Sequence, residues 1–223
     1  MNLEGKTVAV TGAAGVLGDA VARKAVQCGA KVVLVDVVEG FESGLGPTHS
    51  VDLLDKAATS ACLSSVGALD AVCNIAGGFD MGPPVYQIDD AMWDGMFDIN
   101  VRTLRNVLAT AVPVLIERGR GSIVNVGALG ALHGQVNMGA YTVAKSVVMR
   151  LTEALSEEVR GQGINVNAVL PSLIDTPRNR ADMPDADYSK WVSPEKLANV
   201  VCFLASESAS DVHGALVPVT GLV

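Results

Sequence analysis

The sequence of 223 residues predicts an α/β fold in which about seven parallel strands form one doubly wound sheet flanked by helices. Short runs rich in Val, Ile and Ala alternate with helical stretches of ten or more residues, which is the pattern of right-handed βαβ crossovers. The hydrophobic fraction is 49% and the charged fraction only 18%. Such an apolar composition is expected where helices cover both faces of a sheet.

The predicted elements alternate along the whole chain. Strands are predicted at 6–11, 31–35, 49–51, 69–75, 122–126, 165–170 and 215–219, of which 49–51 is the weakest. Helices are predicted at 15–29, 56–66, 90–117, 140–162 and 194–205. No break between them is long or polar enough for an interdomain linker, so residues 1–223 are predicted to form a single domain.

Composition also excludes several classes of function. A net charge of −8 argues against nucleic acid, which needs a basic protein surface. No run reaches 18 uninterrupted apolar residues, so no membrane span is predicted. Glu4 and Lys6 follow the first residue too closely for a secretion signal, and a cytoplasmic protein is expected. The cysteines lack metal or disulfide spacing, and neither a metal site nor a disulfide is predicted for Cys28, Cys62, Cys73 and Cys202.

A glycine-rich segment, Thr11-Gly12-Ala13-Ala14-Gly15-Val16-Leu17-Gly18, lies where the first strand hands over to the first helix. Glycines allow the backbone to turn tightly and to approach a pyrophosphate, and the helix N-terminus supplies free N–H groups. A plain turn is the alternative. The position between strand and helix favours a dinucleotide site, as does the acidic residue at the end of the next strand.

That acidic residue is Asp36, which lies 24 positions after Gly12. This is close to the spacing at which a carboxylate accepts hydrogen bonds from the adenosine ribose. A carboxylate there repels the 2′-phosphate of NADP, and no Arg or Lys follows nearby to bind that phosphate. NAD(H) is therefore the predicted cofactor, and a solvated Asp at the end of a strand is the alternative.

Further motifs extend along the chain in a familiar order. Asn74-Ile75-Ala76-Gly77, Asn100, Tyr141-Thr142-Val143-Ala144-Lys145 and Pro171-Ser172-Leu173-Ile174-Asp175-Thr176 follow the glycine segment. In order and spacing the sequence resembles the short-chain dehydrogenases/reductases over nearly its whole length. The resemblance implies a Rossmann-type fold, hydride transfer between a nicotinamide cofactor and a small molecule, and a homodimer or homotetramer.

The resemblance also implies a role for each motif. Gly12 to Gly18 would hold the pyrophosphate, Asp52 and Leu53 the adenine, Asn74 to Gly77 the adenosine side, and the segment from Pro171 the nicotinamide carboxamide. Tyr141, Lys145 and Asn100 would be catalytic. The full set implied to bind the cofactor is Gly12, Gly15, Val16, Leu17, Gly18, Asp36, Asp52, Leu53, Asn74, Ala76, Gly77, Tyr141, Lys145, Pro171, Ile174 and Thr176.

Tyr141 and Lys145 are four residues apart in a predicted helix and therefore share one face. A free tyrosine has a pKa of about 10 and is a poor base at neutral pH. An ammonium beside the phenol favours the phenolate, so Lys145 is expected to lower the pKa of Tyr141. Asn100 would pass the proton on through water, by analogy with the family.

Two positions depart from the usual family pattern. The glycine expected at Val16 lies one residue earlier, at Gly15, and Ala128 occupies the serine position 13 residues before Tyr141. In both respects the sequence is similar to the quinonoid dihydropteridine reductases of the same superfamily, as it is over 175–191. Asn100, in contrast, follows the wider family.

Several side chains near these motifs keep two interpretations. His133 would replace the missing serine hydroxyl or be structural, which is favoured, and Gln135 is a weaker candidate. Tyr188 and Trp191 would wall a substrate pocket or pack in the core. Trp93 is expected to pack the long helix against the sheet.

The leading hypothesis is therefore an NAD(H)-dependent oxidoreductase for a small cyclic carbonyl, alcohol or quinonoid compound. The rival is an NAD(H)-binding sensor that retains the fold without turnover. The intact pair Tyr141 and Lys145 favours the enzyme, whereas Ala128 keeps the sensor open.

Overall fold

One parallel sheet of seven strands forms the centre of the computed structural model, which describes residues 1–223. The strand order is β3-β2-β1-β4-β5-β6-β7, and every pair of neighbours is parallel. The strands are β1 (Thr7–Thr11), β2 (Lys31–Asp36), β3 (Thr48–Ser50), β4 (Ala71–Asn74), β5 (Gly121–Val126), β6 (Ile164–Pro171) and β7 (Leu216–Val219). The predicted doubly wound sheet is confirmed.

Helices cover both faces of this sheet. They are α1 (Val16–Gln27), α2 (Lys56–Ser65), α3 (Asp90–Phe97), α4 (Thr103–Arg118), α5 (Gly139–Val159), α6 (Pro177–Asp182) and α7 (Pro194–Leu204). α1 and α7 pack together on one face, whereas α2, α4 and α5 lie on the other. This layering explains why the strands are apolar at successive positions and not at alternate ones.

Strand β1 shows how one segment serves both cores. Val8 and Val10 point into the core formed with α1 and α7, and Ala9 points into the core formed with α2 and α4. All three side chains are completely buried. Because successive strand residues point to opposite faces, a short run of small and β-branched residues joins the two layers.

The order of the strands reverses between β1 and β4. From β1 the chain first moves outward through β2 and β3, and from β4 it continues in the opposite direction to β7. The loops after β1 and β4 therefore leave a crevice at the carboxyl ends of the strands. In open α/β sheets this is where ligands bind.

The long helix predicted at 90–117 is interrupted. α3 is followed by a π-helical turn, Asp98–Arg102, and then by α4. By length and a mean hydropathy of 1.2, the stretch Asp90–Arg118 could cross a membrane, but a core helix passes the same test. Val107, Ala111 and Leu115 of α4 are buried in the core shared with α2 and the sheet.

Two details differ from the sequence-based expectations. The short helix α6 was not predicted. Trp93 does not pack the long helix against the sheet: its side chain is 39% exposed, and its ring lies 5.0 Å from that of Phe97. The prediction was wrong because α3 packs against α5, which leaves Trp93 on the outer side.

Candidate active site

The glycine loop after β1 is built so tightly that side chains are excluded. Gly12 has a φ of +66°, and a Cβ placed on it would lie 2.7 Å from the backbone nitrogen of Ala76. A Cβ on Gly18 would lie 2.0 Å from the carbonyl oxygen of Gly12. The loop, the start of α1 and the end of β4 therefore touch through their backbones.

This cradle fits a pyrophosphate group. Gly15 is the N-cap of α1, and Val16 begins the helix with an exposed side chain. The first N–H groups of α1 thus face the crevice and can donate to an anion. The side chain of Leu17 is buried in the core, so only its backbone is available to a cofactor.

Asp36 lies against the glycine loop at the end of β2. One carboxylate oxygen accepts a hydrogen bond from the Ala14 N–H at 2.9 Å, and the other accepts from the Val38 N–H at 3.1 Å. These two bonds hold the carboxylate at the edge of the crevice. Asp36 therefore lies beside the glycine loop, and its hydrogen bonds to the ribose stay a prediction.

The two residues expected at the adenine differ in environment. Asp52 is exposed, and its carboxylate accepts from the Leu54 N–H at 2.9 Å. It lies two residues after Ser50, which pairs with Asp36 across β2 and β3. Leu53 is buried among core residues, so its side chain points away from the crevice.

Asn74, at the end of β4, is part of a buried polar chain. Its Nδ2 donates to Asn125 Oδ1 at 2.9 Å, and Asn125 Nδ2 donates to Thr152 Oγ1 at 2.9 Å. This chain ties β4 and β5 to α5. The Asn74 side chain therefore joins elements beneath the site, whereas Ala76 comes closer to the loop because its N–H donates to Thr11 Oγ1 at 3.2 Å.

The π-helical turn brings Asn100 to the loop after β4. Asn100 Nδ2 donates to the carbonyl oxygens of Gly78 and Met96 at 3.1 and 3.0 Å, and Asn100 Oδ1 accepts from the Gly78 N–H at 3.1 Å. A Cβ on Gly77 would lie 2.9 Å from Asn100 Oδ1 and 3.2 Å from Lys145 Nζ. Gly77, Asn100 and Lys145 thus lie close together in the fold.

Lys145 is almost completely buried on α5. Its Nζ donates to the carbonyl oxygen of Val126, at the end of β5, at a distance of 2.9 Å. Burial disfavours the charged amine and lowers the pKa of Lys145 from 10.5 to about 8. A lysine held in this way is a cation that is unusually ready to lose its proton.

Tyr141 lies one helical turn before Lys145. It packs against the cluster formed by Ala128, Ala131, Met149 and Leu170, and its ring also contacts that of Phe79. Burial raises the pKa of Tyr141 to about 12. Lys145 does not offset this effect of burial, because its hydrogen bond goes to Val126 and apolar groups surround the phenol; the lowering of the Tyr141 pKa by Lys145 and a bound nicotinamide stays a prediction.

The position at which the sequence motif predicts the family serine is apolar. Ala128 is 5% exposed and packs in the cluster beneath Tyr141. His133 and Gln135 are exposed in the loop that follows, and neither donates a hydrogen bond to Tyr141. Gln135 Nε2 instead donates to the carbonyl oxygen of Gly130 at 3.3 Å. The structure thus offers no replacement for the hydroxyl among these residues.

The segment after β6 crosses the carboxyl end of the sheet. Pro171 ends β6 and is buried, Ile174 pairs with Val192, and Thr176 caps α6 by accepting from the Asn179 N–H at 3.2 Å. The Thr176 hydroxyl is therefore already engaged by α6.

A network that the sequence did not indicate stabilises this segment. Arg180 donates to both oxygens of Asp175 at 2.6 and 2.7 Å and lies 4.8 Å over the ring of Tyr188. The Tyr188 ring in turn lies 4.7 Å from that of Trp191. Trp191 is buried, whereas Tyr188 is half-buried.

Comparison with known proteins agrees with this geometry. A family model described as enoyl-(acyl carrier protein) reductase matches residues 12–221. A curated relative, cis-4-hydroxycyclohexanecarboxylate dehydrogenase of Sinomonas cyclohexanicum, is 31% identical over 237 residues, which cover 97% of this chain and 95% of the relative.

Solved structures extend the similarity to the whole fold. A short-chain type dehydrogenase/reductase from Mycobacterium ulcerans superposes with a TM-score of 0.92 at 28% identity and covers 100% of this chain and 90% of its own. A structure from Beutenbergia cavernae, described as an NAD(P)-dependent gluconate 5-dehydrogenase with bound NADP, has a TM-score of 0.89 at 27% identity and covers 99% and 97%. The chain belongs to the short-chain dehydrogenase/reductase superfamily of oxidoreductases, whose members bind nicotinamide cofactors.

Proposed function

We propose that the protein is an NAD(H)-dependent oxidoreductase that moves hydride to or from a small cyclic carbonyl, alcohol or quinonoid compound. The observation that carries the proposal is the convergence of Gly77, Asn100 and Lys145 beside the backbone cradle of Gly12 and Gly18. Tyr141 lies one turn from Lys145 on the same helix. A cofactor site and a proton-transfer group therefore share one crevice.

The chain's own residues would bind the cofactor mainly through backbone and one carboxylate. The N–H groups at the start of α1 would hold the pyrophosphate, and Asp36 would accept from the ribose hydroxyls. When bound, the nicotinamide supplies or accepts the hydride.

The preference for NAD(H) rests on Asp36. Arg23 lines the groove of about 570 Å³ beside the glycine loop and is the cation there that a 2′-phosphate would meet. Its guanidinium is already engaged, because Nε donates to Asp19 Oδ2 at 2.7 Å. The Beutenbergia structure contains NADP, and titration of this protein with NADH and with NADPH tests the preference.

Tyr141 would act as the proton donor to the reduced substrate. A phenol with a pKa of about 12 is protonated at neutral pH, which suits donation and disfavours abstraction. Lys145 would hold the nicotinamide ribose and add positive charge beside the phenol.

The apolar surroundings of Ala128 narrow the substrate. Without a hydroxyl at this position, charge that develops on one carbonyl oxygen meets only Tyr141. A conjugated or quinonoid acceptor spreads that charge over several atoms and needs fewer donors. The Sinomonas relative, by its name, acts on a cyclic alcohol, which supports a ring-shaped substrate.

We further propose that residues 1–223 form one domain that assembles as a homodimer or homotetramer. Trp93 on α3 and Val143 on α5 are large apolar side chains that the single chain leaves exposed on neighbouring helices. Sedimentation velocity of the purified protein tests this directly, and a purely monomeric profile at micromolar concentration would contradict it.

The decisive test of function is NADH oxidation, followed by absorbance, with a panel of quinones, a quinonoid dihydropterin and cyclic ketones. Turnover with a member of the panel that is lost in Tyr141→Phe supports the proposal. Tight NADH binding without turnover on any compound would instead favour the NAD(H)-binding sensor.

A further inference from the structure

The loop after β4 carries an aromatic residue, Phe79, and Asn100 fixes the position of this loop. Two hydrogen bonds of 3.1 Å join the Asn100 side chain to both backbone groups of Gly78. A Cβ on Gly78 would lie 2.9 Å from Cδ1 of Ile99, so the Ile99 side chain of the π-helical turn packs against the Gly78 backbone. Phe79 is the next residue, and the same bonds that organise the site therefore place its side chain.

The ring of Phe79 borders the reactive phenol. Its centroid lies 4.9 Å from that of Tyr141, and the two planes are almost perpendicular at 88°. This is the favoured edge-to-face arrangement of aromatic pairs. The Phe79 side chain is nevertheless 37% exposed, which leaves part of its surface free for another molecule beside Tyr141.

The chain beyond Phe79 continues this apolar border over the start of α5. The Gly82 N–H donates to the carbonyl oxygen of Asn137 at 2.8 Å, and a Cβ on Gly139 would lie 2.7 Å from Cγ2 of Val85. Met81 and Val85 are exposed. Phe79 and the cluster at Ala128 leave Tyr141 between apolar surfaces.

We propose that Phe79 is the specificity-determining residue of this site and that its free ring surface stacks on flat, conjugated ring substrates, which are selected over saturated rings of the same size. The inference rests on the proposed function, since it names the substrate class for the same Tyr141. A planar π-system can stack on an aromatic surface with full contact, whereas a puckered ring touches it at few atoms.

The test uses pairs of compounds that share one carbon skeleton. With NADH present, 1,4-naphthoquinone and 2-decalone serve as substrates, and 2-naphthol and decahydro-2-naphthol serve as unreactive ligands in calorimetric titrations. Phe79→Leu should raise KM for the quinone and weaken 2-naphthol binding by roughly fivefold, the range of one aromatic contact. Binding of the saturated compounds should change less than about twofold.

Three comparisons complete the experiment. Phe79→Trp should retain the preference for flat compounds, because it keeps an aromatic surface. Phe203→Leu is the matched control, since Phe203 is 36% exposed but lies on α7. NADH affinity should be unchanged in all variants.

The outcomes separate the two proposals. If Phe79→Leu weakens the binding of flat and of saturated compounds equally, or changes the binding of neither, Phe79 does not determine specificity. If 2-naphthol binding shows the selective loss but no compound is turned over, the inference about Phe79 stands and the proposed redox function fails.

Discussion

Lys145 Nζ donates its hydrogen bond to the carbonyl oxygen of Val126, although Tyr141 lies only one turn away on the same helix. The ammonium is thus held between α5 and the end of β5. Burial of the Lys145 amine lowers the stability of the folded protein, because a buried amine carries charge less readily than one in water. A residue needed for chemistry is thereby expected to weaken the fold.

Lys145→Met should therefore stabilise the protein, by about 2 kcal/mol at neutral pH after allowing for the lost hydrogen bond. The folded-state pKa is about 8, against an ordinary 10.5. Below pH 8 the Lys145 amine is protonated in both the folded and the unfolded protein, and the full destabilisation by the buried charge is present. Above pH 8 the folded state releases its proton first, so the cost declines and disappears near pH 10.5.

Urea unfolding of both proteins near pH 6.5 and near pH 9.5 measures this difference. Lys145→Arg is the comparison, because arginine keeps its charge at both pH values and should give no stabilisation. A methionine variant that is less stable than the wild type at the lower pH would contradict the role assigned to burial.

Tyr141→Phe should lower turnover by at least about a hundredfold and leave NADH affinity nearly unchanged, since it removes only the proton donor. Lys145→Ala should reduce both turnover and NADH affinity, because Lys145 is proposed to bind the nicotinamide ribose and to act beside the Tyr141 phenol. Steady-state kinetics and fluorescence titration of NADH distinguish the two. Normal turnover of Tyr141→Phe on the true substrate would rule out the proposed mechanism.

Asp36 should make the protein bind NADH far more tightly than NADPH. Asp36→Ala should weaken NADH binding by about 1–3 kcal/mol, as expected for the loss of a charge-assisted hydrogen bond. The difference in affinity between NADH and NADPH should become smaller. Asp36→Asn removes the charge while retaining an oxygen acceptor for the Ala14 N–H, so it isolates repulsion of the 2′-phosphate. Equal affinities of the unmutated protein for both nucleotides, measured by fluorescence titration, would exclude this account.

Ala128→Ser should increase kcat/KM for a cyclic ketone more than for a quinonoid dihydropterin, because the ketone gains a donor at its single oxygen. Ala131→Ser is the matched control: it adds the same hydroxyl to the same buried cluster, at a position outside the family motif. If the unmutated enzyme already prefers the ketone by about tenfold, the argument from the missing serine fails. His133→Ala and Gln135→Ala then identify the replacement donor.

Sequence patterns predicted the sheet and most helices because alternation between apolar strands and long helices follows from burial on both faces. They also predicted where Asp36 and the glycine loop lie, since both depend on position relative to β1 and β2. Helix α6 was missed although Thr176 and Pro177 form a usable signal, a capping side chain followed by proline at the first helical position.

Other features depend on tertiary contacts that no local pattern encodes. Trp93 faces outward because α3 packs against α5, and the pKa of Tyr141 depends on which side chains surround the phenol. The aromatic contact of Phe79 depends on Asn100, which is 21 positions further along the chain. The spacing of apolar residues predicted one continuous helix through residues 98–102. It did so because the helical apolar pattern continues both before and after the π-helical turn.

That turn has a consequence for changes in chain length. Successive residues of an α-helix are rotated by about 100° around the helix axis. The π-helical turn at Asp98–Arg102 contains more residues than an α-helical turn, so it changes the direction in which the residues of α3 point relative to those of α4. Deleting one residue there would give a regular helix of the same span. Val107 and Leu115 would keep their places in the core, while Asn100 would swing away from Gly78. A protein that lacks one residue of this turn should therefore still fold but should not assemble the active site. At this turn, a deletion of one residue can remove catalysis while leaving the fold intact, which most substitutions cannot do.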